Sequence, residues 1–296
     1  MRFGVLMLPT DPWPDALARA RHIEALGYDH LWTYDHLSWR RYRGRPWFSA
    51  IPWLTGIAAA TDRIRLGTMV ASPNLRHPVT LAQDVVTADH VSGGRFVLGL
   101  GAGGIGVGSY DSTVFGDVPL TRKEITARLG EFVEVFDLLL REPVVSYDGA
   151  YYTVNEACVE PGCVQSPRVP LALAATGPRS LALTARYADA WITFGDPKDL
   201  TAAGTEAVVR AQAAQLDAAC AAIDRDPRSI ERIYMIGNTE ERPLASVAAF
   251  EDFVGRYAAL GFTDLVYHHP RADDPVWDEP EAIVDDIARE VIPRWH

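Results

Sequence analysis

LALAATGPRSLALTARYADAWITFG, residues 171–195, packs a short apolar run, a helix and a second apolar run into 25 positions. Residues 171–175 read as a strand, a helix starts at Pro178, and residues 190–194 read as the next strand. Such a unit lays its two strands parallel, because the helix carries the chain back across the sheet. The same alternation runs outward in both directions. Towards the C-terminus come a helix filling most of 197–223, a strand at 230–236, a helix at 246–260, a strand at 264–267 and a helix at 280–292. Towards the N-terminus lie strands at 3–8, 30–34, 64–70 and 96–100. Their helices are one opened by Asp11-Pro12-Trp13-Pro14 and stopped by Gly27, then 46–61, 78–91 and 121–141. Thr121 and Glu124 predict a capping box at the last of these. Residues 144–169 break the pattern, and Tyr147-Asp148-Gly149-Ala150-Tyr151 predicts a hairpin inserted on the barrel.

Eight strands alternating with helices predict a (β/α)8 TIM barrel, with 1–296 as one domain. A doubly wound open sheet is the competing arrangement. Its first turn would carry a glycine fingerprint, and here that turn is Pro9-Thr10-Asp11-Pro12.

Composition sets the class of partner. The chain is 48% hydrophobic and 23% charged, the balance of a globular protein. Net charge is 28 − 39 = −11, which repels nucleic-acid phosphates and anionic lipid surfaces. No apolar run reaches membrane-spanning length. The opening MRFGVLML is cut short by Pro9, Asp11 and Pro12, so it reads as a buried strand and not as a secretion signal. Cys158, Cys163 and Cys220 are too few for a disulfide framework, and none stands at metal-ligand spacing with a histidine. A cytoplasmic enzyme without a metal is the expectation.

In such barrels chemistry sits at the C-terminal ends of the strands. That rule selects Asp35-His36 after the second strand, and Ala71-Ser72-Pro73-Asn74 after the third. It also selects GAGGIGVG (101–108) after the fourth, Thr176-Gly177-Pro178-Arg179-Ser180 after the fifth, Gly195 after the sixth, and His268-His269 after the eighth. A histidine beside a carboxylate exchanges protons near neutral pH, although a hydrogen-bonded structural histidine is the competing reading. The glycine-rich loop lets backbone amides approach a flat ring or an anion, or it is a connector. Thr176 to Ser180 opens a helix, whose first amides, two hydroxyls and Arg179 suit a phosphate; N-capping by Thr176 would need less. Arg40, Arg41, Arg43 and Arg45 lie in the loop after His36, where they meet an anionic ligand group or simply face solvent. Trp39, Trp47 and Trp53 either wall an aromatic ligand or cover the barrel top. His268 and His269 receive no role.

Four collinear segments carry a family resemblance: GYDHLWTYDH (27–36), RIRLGTMVASPNLRHP (63–78), GGRFVLGLGAG (93–103) and the opening segment at 171–195. Together they resemble the luciferase-like family of flavin- and deazaflavin-dependent oxidoreductases along nearly the whole chain. The branch most similar uses coenzyme F420, an 8-hydroxy-5-deazaflavin; FMN is the alternative cofactor. The resemblance implies that His36 lies over the central ring and handles the proton, and that Asp35 helps to bind the ring. It also implies a bulge with a non-proline cis peptide at Met69-Val70 backing the ring. Ser72 and the amides of Ala102 and Gly103 would touch it, while Gly177, Pro178 and their neighbours hold the phosphate.

One departure matters. Sugar-phosphate dehydrogenases of the family carry a glutamate as a second acid or base where this chain has Gly104, and their basic phosphate clamp is not evident. With one evident acid, the expected reaction is hydride transfer from reduced F420 to a C=C or C=N bond of a small metabolite. The alternatives are an F420-dependent alcohol dehydrogenase, an FMN-dependent monooxygenase, and a non-catalytic flavin-binding protein. Residues 37–49, 101–120 and 144–169 would line the substrate pocket. A homodimer through the helices after strands two and three is expected from the fold class.

Overall fold

In the computed structural model, residues 1–104, 111–116, 118–195, 198–237 and 239–296 are described. Ten strands occur in chain order: β1 (Arg2–Leu6), β2 (His30–Thr33), β3 (Arg65–Thr68), β4 (Phe96–Leu100), β5 (Val145–Asp148), β6 (Thr153–Ala157), β7 (Leu171–Ala174), β8 (Ala190–Thr193), β9 (Glu231–Met235) and β10 (Asp264–His268). The helices are α1 (Trp13–Ala25), α2 (Ala50–Ala58), α3 (Pro78–Ser92), α4 (Arg122–Arg141), α5 (Pro178–Tyr187), α6 (Ala202–Ala221), α7 (Val247–Ala259), α8 (Ala282–Glu290) and α9 (Ile292–Trp295). Eight strands close a barrel in the order β1-β10-β9-β8-β7-β4-β3-β2, and β5 and β6 form a separate two-stranded sheet. This is the (β/α)8 architecture that the alternation predicts, with the hairpin inserted at the expected place. Among the described residues no helix is long and apolar enough to cross a membrane.

The chain divides into two compact units. The first comprises Met1–Met7, Arg19–Trp32 and Ala175–His296. Its ladder pairs Arg2 with Asp264, Gly4 with His30, and Ala190 with Glu231. Phe3, Tyr267, Phe250 and Trp191 fill its core. The N-terminal ends of its strands are tied by charge. Arg2 donates to Asp264 at 2.7 Å and to Glu231 at 2.6 Å, and His30 Nε2 meets Asp264 at 3.0 Å. Because Trp32 Nε1 donates to His30 Nδ1 at 2.7 Å, the histidine proton sits on Nε2, aimed at Asp264. Burial alone would raise Asp264, but the bonds from His30 and Arg2 outweigh it and hold the carboxyl well below the usual range. Gly4 is required beside this ring: a Cβ there would lie 1.9 Å from His30 Nδ1.

The second unit comprises Leu8–Ala18 and Thr33–Ala174. Leu66 pairs with Phe96, and Leu98 with Leu171. Arg95 stitches the α2–β3 connection, donating to the carbonyls of Ala58, Thr61 and Ile64 at 2.8 Å each. The α4 capping box forms as expected, Thr121 N donating to Glu124 at 2.8 Å and Glu124 N to Thr121 Oγ1 at 3.3 Å. Glu131 of α4 accepts from the amides of Ala150, Tyr151 and Tyr152 at 2.6–3.0 Å, which pins the inserted hairpin to the helix.

The expected element ends shift where side chains compete with periodicity. The helix expected at 46–61 is shorter, Ala50–Ala58, with Ser49 extended at its cap. A 3-10 turn at Arg40–Tyr42 precedes it. The strand expected at 64–70 leaves its ladder at Thr68; pairing resumes at Ala71, whose amide donates to Gly99 O at 2.8 Å while Gly101 N donates to Ala71 O at 2.9 Å. The helix expected at 197–223 is Ala202–Ala221, and Pro197 lies outside the described residues.

Candidate active site

Where β2 ends, Asp35 and His36 turn in different directions. The Asp35 carboxylate, 2% exposed, is taken up by Arg76, whose Nε and Nη2 donate to its two oxygens at 2.8 and 2.6 Å. That is the bidentate geometry for which a guanidinium is suited, and it welds the end of β2 to the segment leading into α3. Although Asp35 adjoins His36 in sequence, its carboxylate is bonded to Arg76.

The carboxylate on His36 belongs to Asp111. Its Oδ2 is hydrogen-bonded to His36 Nδ1, and its Oδ1 accepts from Leu37 N at 3.0 Å. Asp111 is 3% exposed, whereas the His36 side chain is 27% exposed. One edge of the imidazole is thus held from behind, and the ring itself reaches the surface.

Aromatic rings surround that histidine. Trp39 stacks on it at 6.4 Å between centroids and 19°, Tyr34 meets it edge-on at 5.9 Å, and Trp47 lies at 6.4 Å. Tyr42 stacks on Trp39 at 6.5 Å in turn. Arg40 lies 4.6 Å over the Trp39 ring and Arg41 5.1 Å over Tyr42, so part of the arginine cluster braces these rings through cation–π contact. Trp53, in contrast, is buried in α2, which favours the second of the two readings open for it, a packing role. Trp47 Nε1 is buried without a hydrogen-bond partner among the described residues. An indole N–H can only donate, so this atom awaits an acceptor.

Backbone, not side chain, dominates the neighbouring strand ends. The Met69–Val70 peptide is cis, at the position the resemblance implies. Val70 stands over the glycines of β4 and its loop: a Cβ on Gly101 would lie 2.6 Å from Val70 Cγ2, and one on Gly99 1.9 Å from Thr68 O. Ser72 is buried, while Ala102 and Gly103 are half-buried. Gly103 has φ +83°, and a Cβ there would collide with Asn74 Nδ2 at 2.5 Å. Asn74 Nδ2 donates to Gly104 O at 3.2 Å, and its Oδ1 accepts from Arg128 of α4, which fixes the start of the loop. The rest of the glycine-rich run, 105–108, lies outside the described residues.

In the other unit, α5 opens at Thr176–Ser180. Thr176 is not the cap; Gly177 is, with Pro178 in the first turn. Gly177 N donates to Ser180 Oγ at 3.3 Å, and Ser180 Oγ donates back to Gly177 O at 3.0 Å. A glycine cap brings no side-chain oxygen to the first-turn amides, so an anion has access to them. Thr176, Pro178 and Arg179 are exposed. Gly195 is buried at φ +84°; its amide donates to Thr193 Oγ1 at 3.0 Å and its carbonyl accepts from Gln212 at 2.9 Å, so its polar groups serve the turn itself.

The two histidines ending β10 are also buried. His268 stacks on Trp277 at 4.7 Å. His269 is pushed down to about 4, by burial first and by the charge of Arg19 second. An unfolded histidine titrates near 6.5, so between those limits the unfolded chain binds the extra proton and stability falls as pH drops. The loss expected across the window is on the order of 3 kcal/mol. Urea midpoints measured from pH 7 to pH 4 should therefore decline less steeply in His269→Gln than in the parent protein.

Arg76 and Arg128 escape sequence reasoning, and so do the partners of Asn74 and Asp111, although the strand-end rule selects Asn74 and Asp111 lies in an expected pocket loop. Asp111 stands 75 positions from His36, and no spacing rule connects a strand end to a loop residue that distant. Among the described residues no group of three or more His, Cys, Asp or Glu is placed to hold a metal.

Comparison with known proteins adds four findings. The profile of the luciferase-like monooxygenase family matches residues 1–289. An F420-dependent glucose-6-phosphate dehydrogenase of Beutenbergia cavernae is 29% identical, over 95% of this chain and 93% of its own length. Among solved structures, an F420-dependent secondary alcohol dehydrogenase bound to an F420–acetone adduct superposes with a TM-score of 0.81 at 18% identity, covering 100% of this chain and 99% of that one. A monooxygenase from Streptomyces bottropensis superposes at 0.77 and 20% identity, over the full length of both chains. At such identities the superpositions speak for the fold.

Proposed function

The chain belongs to the luciferase-like monooxygenase family, and from that premise we propose that it is a coenzyme F420-dependent oxidoreductase acting on a small molecule. The observation that carries the reading is His36: a surface-reaching imidazole at the end of β2, backed by a buried carboxylate, Asp111, from the connection between β4 and α4. F420 is favoured over FMN by the dehydrogenase alignable along nearly the whole chain. The proposal takes 1–296 as one barrel domain, since neither unit alone holds eight barrel strands. It also takes the protein to be a cytoplasmic homodimer without nucleic-acid or membrane partners, in keeping with the net charge of −11.

The residues present fit a deazaflavin on two counts. Trp47 Nε1 lacks an acceptor beside His36, and the α5 N-terminus is capped by a glycine. Met69, Val70, Ser72, Ala102 and Gly103 would hold the ring, and Thr176 to Ser180 the phosphate. Bound F420 supplies a carbon-centred hydride carrier that does not readily activate oxygen. The protein's own share is binding, orientation and the proton. His36 delivers a proton to one end of the substrate's double bond, with Asp111 behind it and out of reach of the substrate. Gly104 adds no second exposed acid, in keeping with reduction of a C=C or C=N bond.

Alcohol oxidation is the second reading, because an imidazole with a carboxylate on Nδ1 serves equally well as a base. The deciding experiment titrates the protein with F420 and with FMN, then follows reduced F420 against unsaturated metabolites and oxidised F420 against alcohols. Binding of F420 with turnover is the expected result. Tight FMN binding with no affinity for F420 overturns the proposal.

A further inference from the structure

We propose that Asp111 is a positioning residue that decides which nitrogen of His36 exchanges protons with the substrate. The proposal rests on His36 being the acid–base group of the reaction above, and not on the identity of the cofactor.

The two oxygens of Asp111 have separate tasks. Oδ1 accepts from Leu37 N at 3.0 Å, and since an amide only donates, that bond sets the orientation of the carboxylate. Oδ2 is then presented to His36 Nδ1. A carboxylate only accepts, so Nδ1 must carry the hydrogen and the neutral ring keeps its lone pair on Nε2. Nε2 belongs to the edge of the ring turned away from Asp111. When it takes up a proton, the imidazolium forms against a buried negative charge and is stabilised there. On reduction, F420 would supply the hydride for one end of the unsaturated bond, and Nε2 of His36 gives its proton to the other. On the reverse path Nε2 takes that proton back.

The competing role for Asp111 is purely architectural, tying Leu37 to the turn that begins at Asp111. The charge environment argues against it. Asp35, as buried as Asp111 and leaving the neighbouring strand end, is paired with a permanent cation, Arg76. Among the described residues Asp111 pairs with no lysine or arginine; its one ionisable partner is His36. A buried carboxylate oriented by an amide and bonded to Nδ1 acts on the imidazole itself, fixing which nitrogen carries the hydrogen.

The test is ¹⁵N NMR of the imidazoles in the full-length protein labelled at histidine, with the His36→Gln spectrum assigning His36 among the 8 histidines. The neutral ring is expected to show a protonated Nδ1 and a bare Nε2. Asp111→Asn keeps the bond from Leu37 through its amide oxygen but turns an N–H towards Nδ1, so the tautomer should reverse. A wild-type ring protonated on Nε2, or a spectrum that Asp111→Asn leaves unchanged, overturns the proposal, and the wild-type arm stands even if the variant does not fold. In turnover, Asp111→Asn should lower kcat on the order of 10–100-fold, part of what a general acid–base contributes, with F420 affinity within about twofold of wild type. Loss of affinity in step with kcat would make Asp111 a loop anchor and overturn the positioning role. Absence of F420 binding by the wild type would sink the cofactor assignment while leaving the tautomer measurement intact.

Discussion

His36→Ala is expected to lower kcat by about 10²–10⁴-fold, the contribution of a positioned general acid or base. The substitution removes the one imidazole that, among the described residues, both reaches the surface and carries a carboxylate on Nδ1. It also leaves Asp111 buried with only the Leu37 amide, a loss of about 1–3 kcal/mol in stability. These two effects separate in a double variant. Adding Asp111→Asn to His36→Ala removes the orphaned charge and should restore part of the stability, yet none of the turnover. Turnover undiminished in His36→Ala would remove His36 from the mechanism, whatever happened to stability.

Arg76→Met is expected to cost about 3–5 kcal/mol, because it strands the Asp35 charge in the interior instead of deleting a pair. For a chain of this size that is a fall in Tm on the order of 10 °C. Pairing it with Asp35→Asn should recover most of the loss, since a neutral amide leaves no buried charge. The comparison also tests the ring-binding role that the resemblance implies for Asp35. Should the double variant regain stability but bind F420 poorly, Asp35 or Arg76 touches the cofactor as well as each other. Full recovery of both assigns the pair to architecture alone.

The barrel was legible because it rests on local periodicity. Each strand is a short apolar run and each crossover an amphipathic one, and the capping box at Thr121 and the hairpin at 147–151 announce themselves within five residues. Legibility failed at the edges of elements, where one tertiary bond outweighs the pattern. The helix starts at Pro178 as expected, but Thr176, which has the right side chain for a cap, is not the cap: Gly177 is, and Ser180 bonds back to it. The strand expected to reach Val70 stops at Thr68, where the ladder skips to Ala71.

The candidate site divides along the same line. His36, Met69-Val70, Gly103 and the α5 entrance are strand-end positions, so once the strands are placed the rim follows from the order of the chain. Which carboxylate meets which cation does not. Asp35 sits next to His36 in sequence, but consecutive residues leaving a strand point apart, so it pairs with Arg76, 41 positions on, while Asp111 arrives from a loop 75 positions away to take Nδ1. Sequence by itself determined the barrel, its rim and the histidine on it, because those depend on periodicity and order. Only the tertiary structure decided the partners of that histidine and of its neighbouring aspartate, because buried charges choose the nearest complementary group in space.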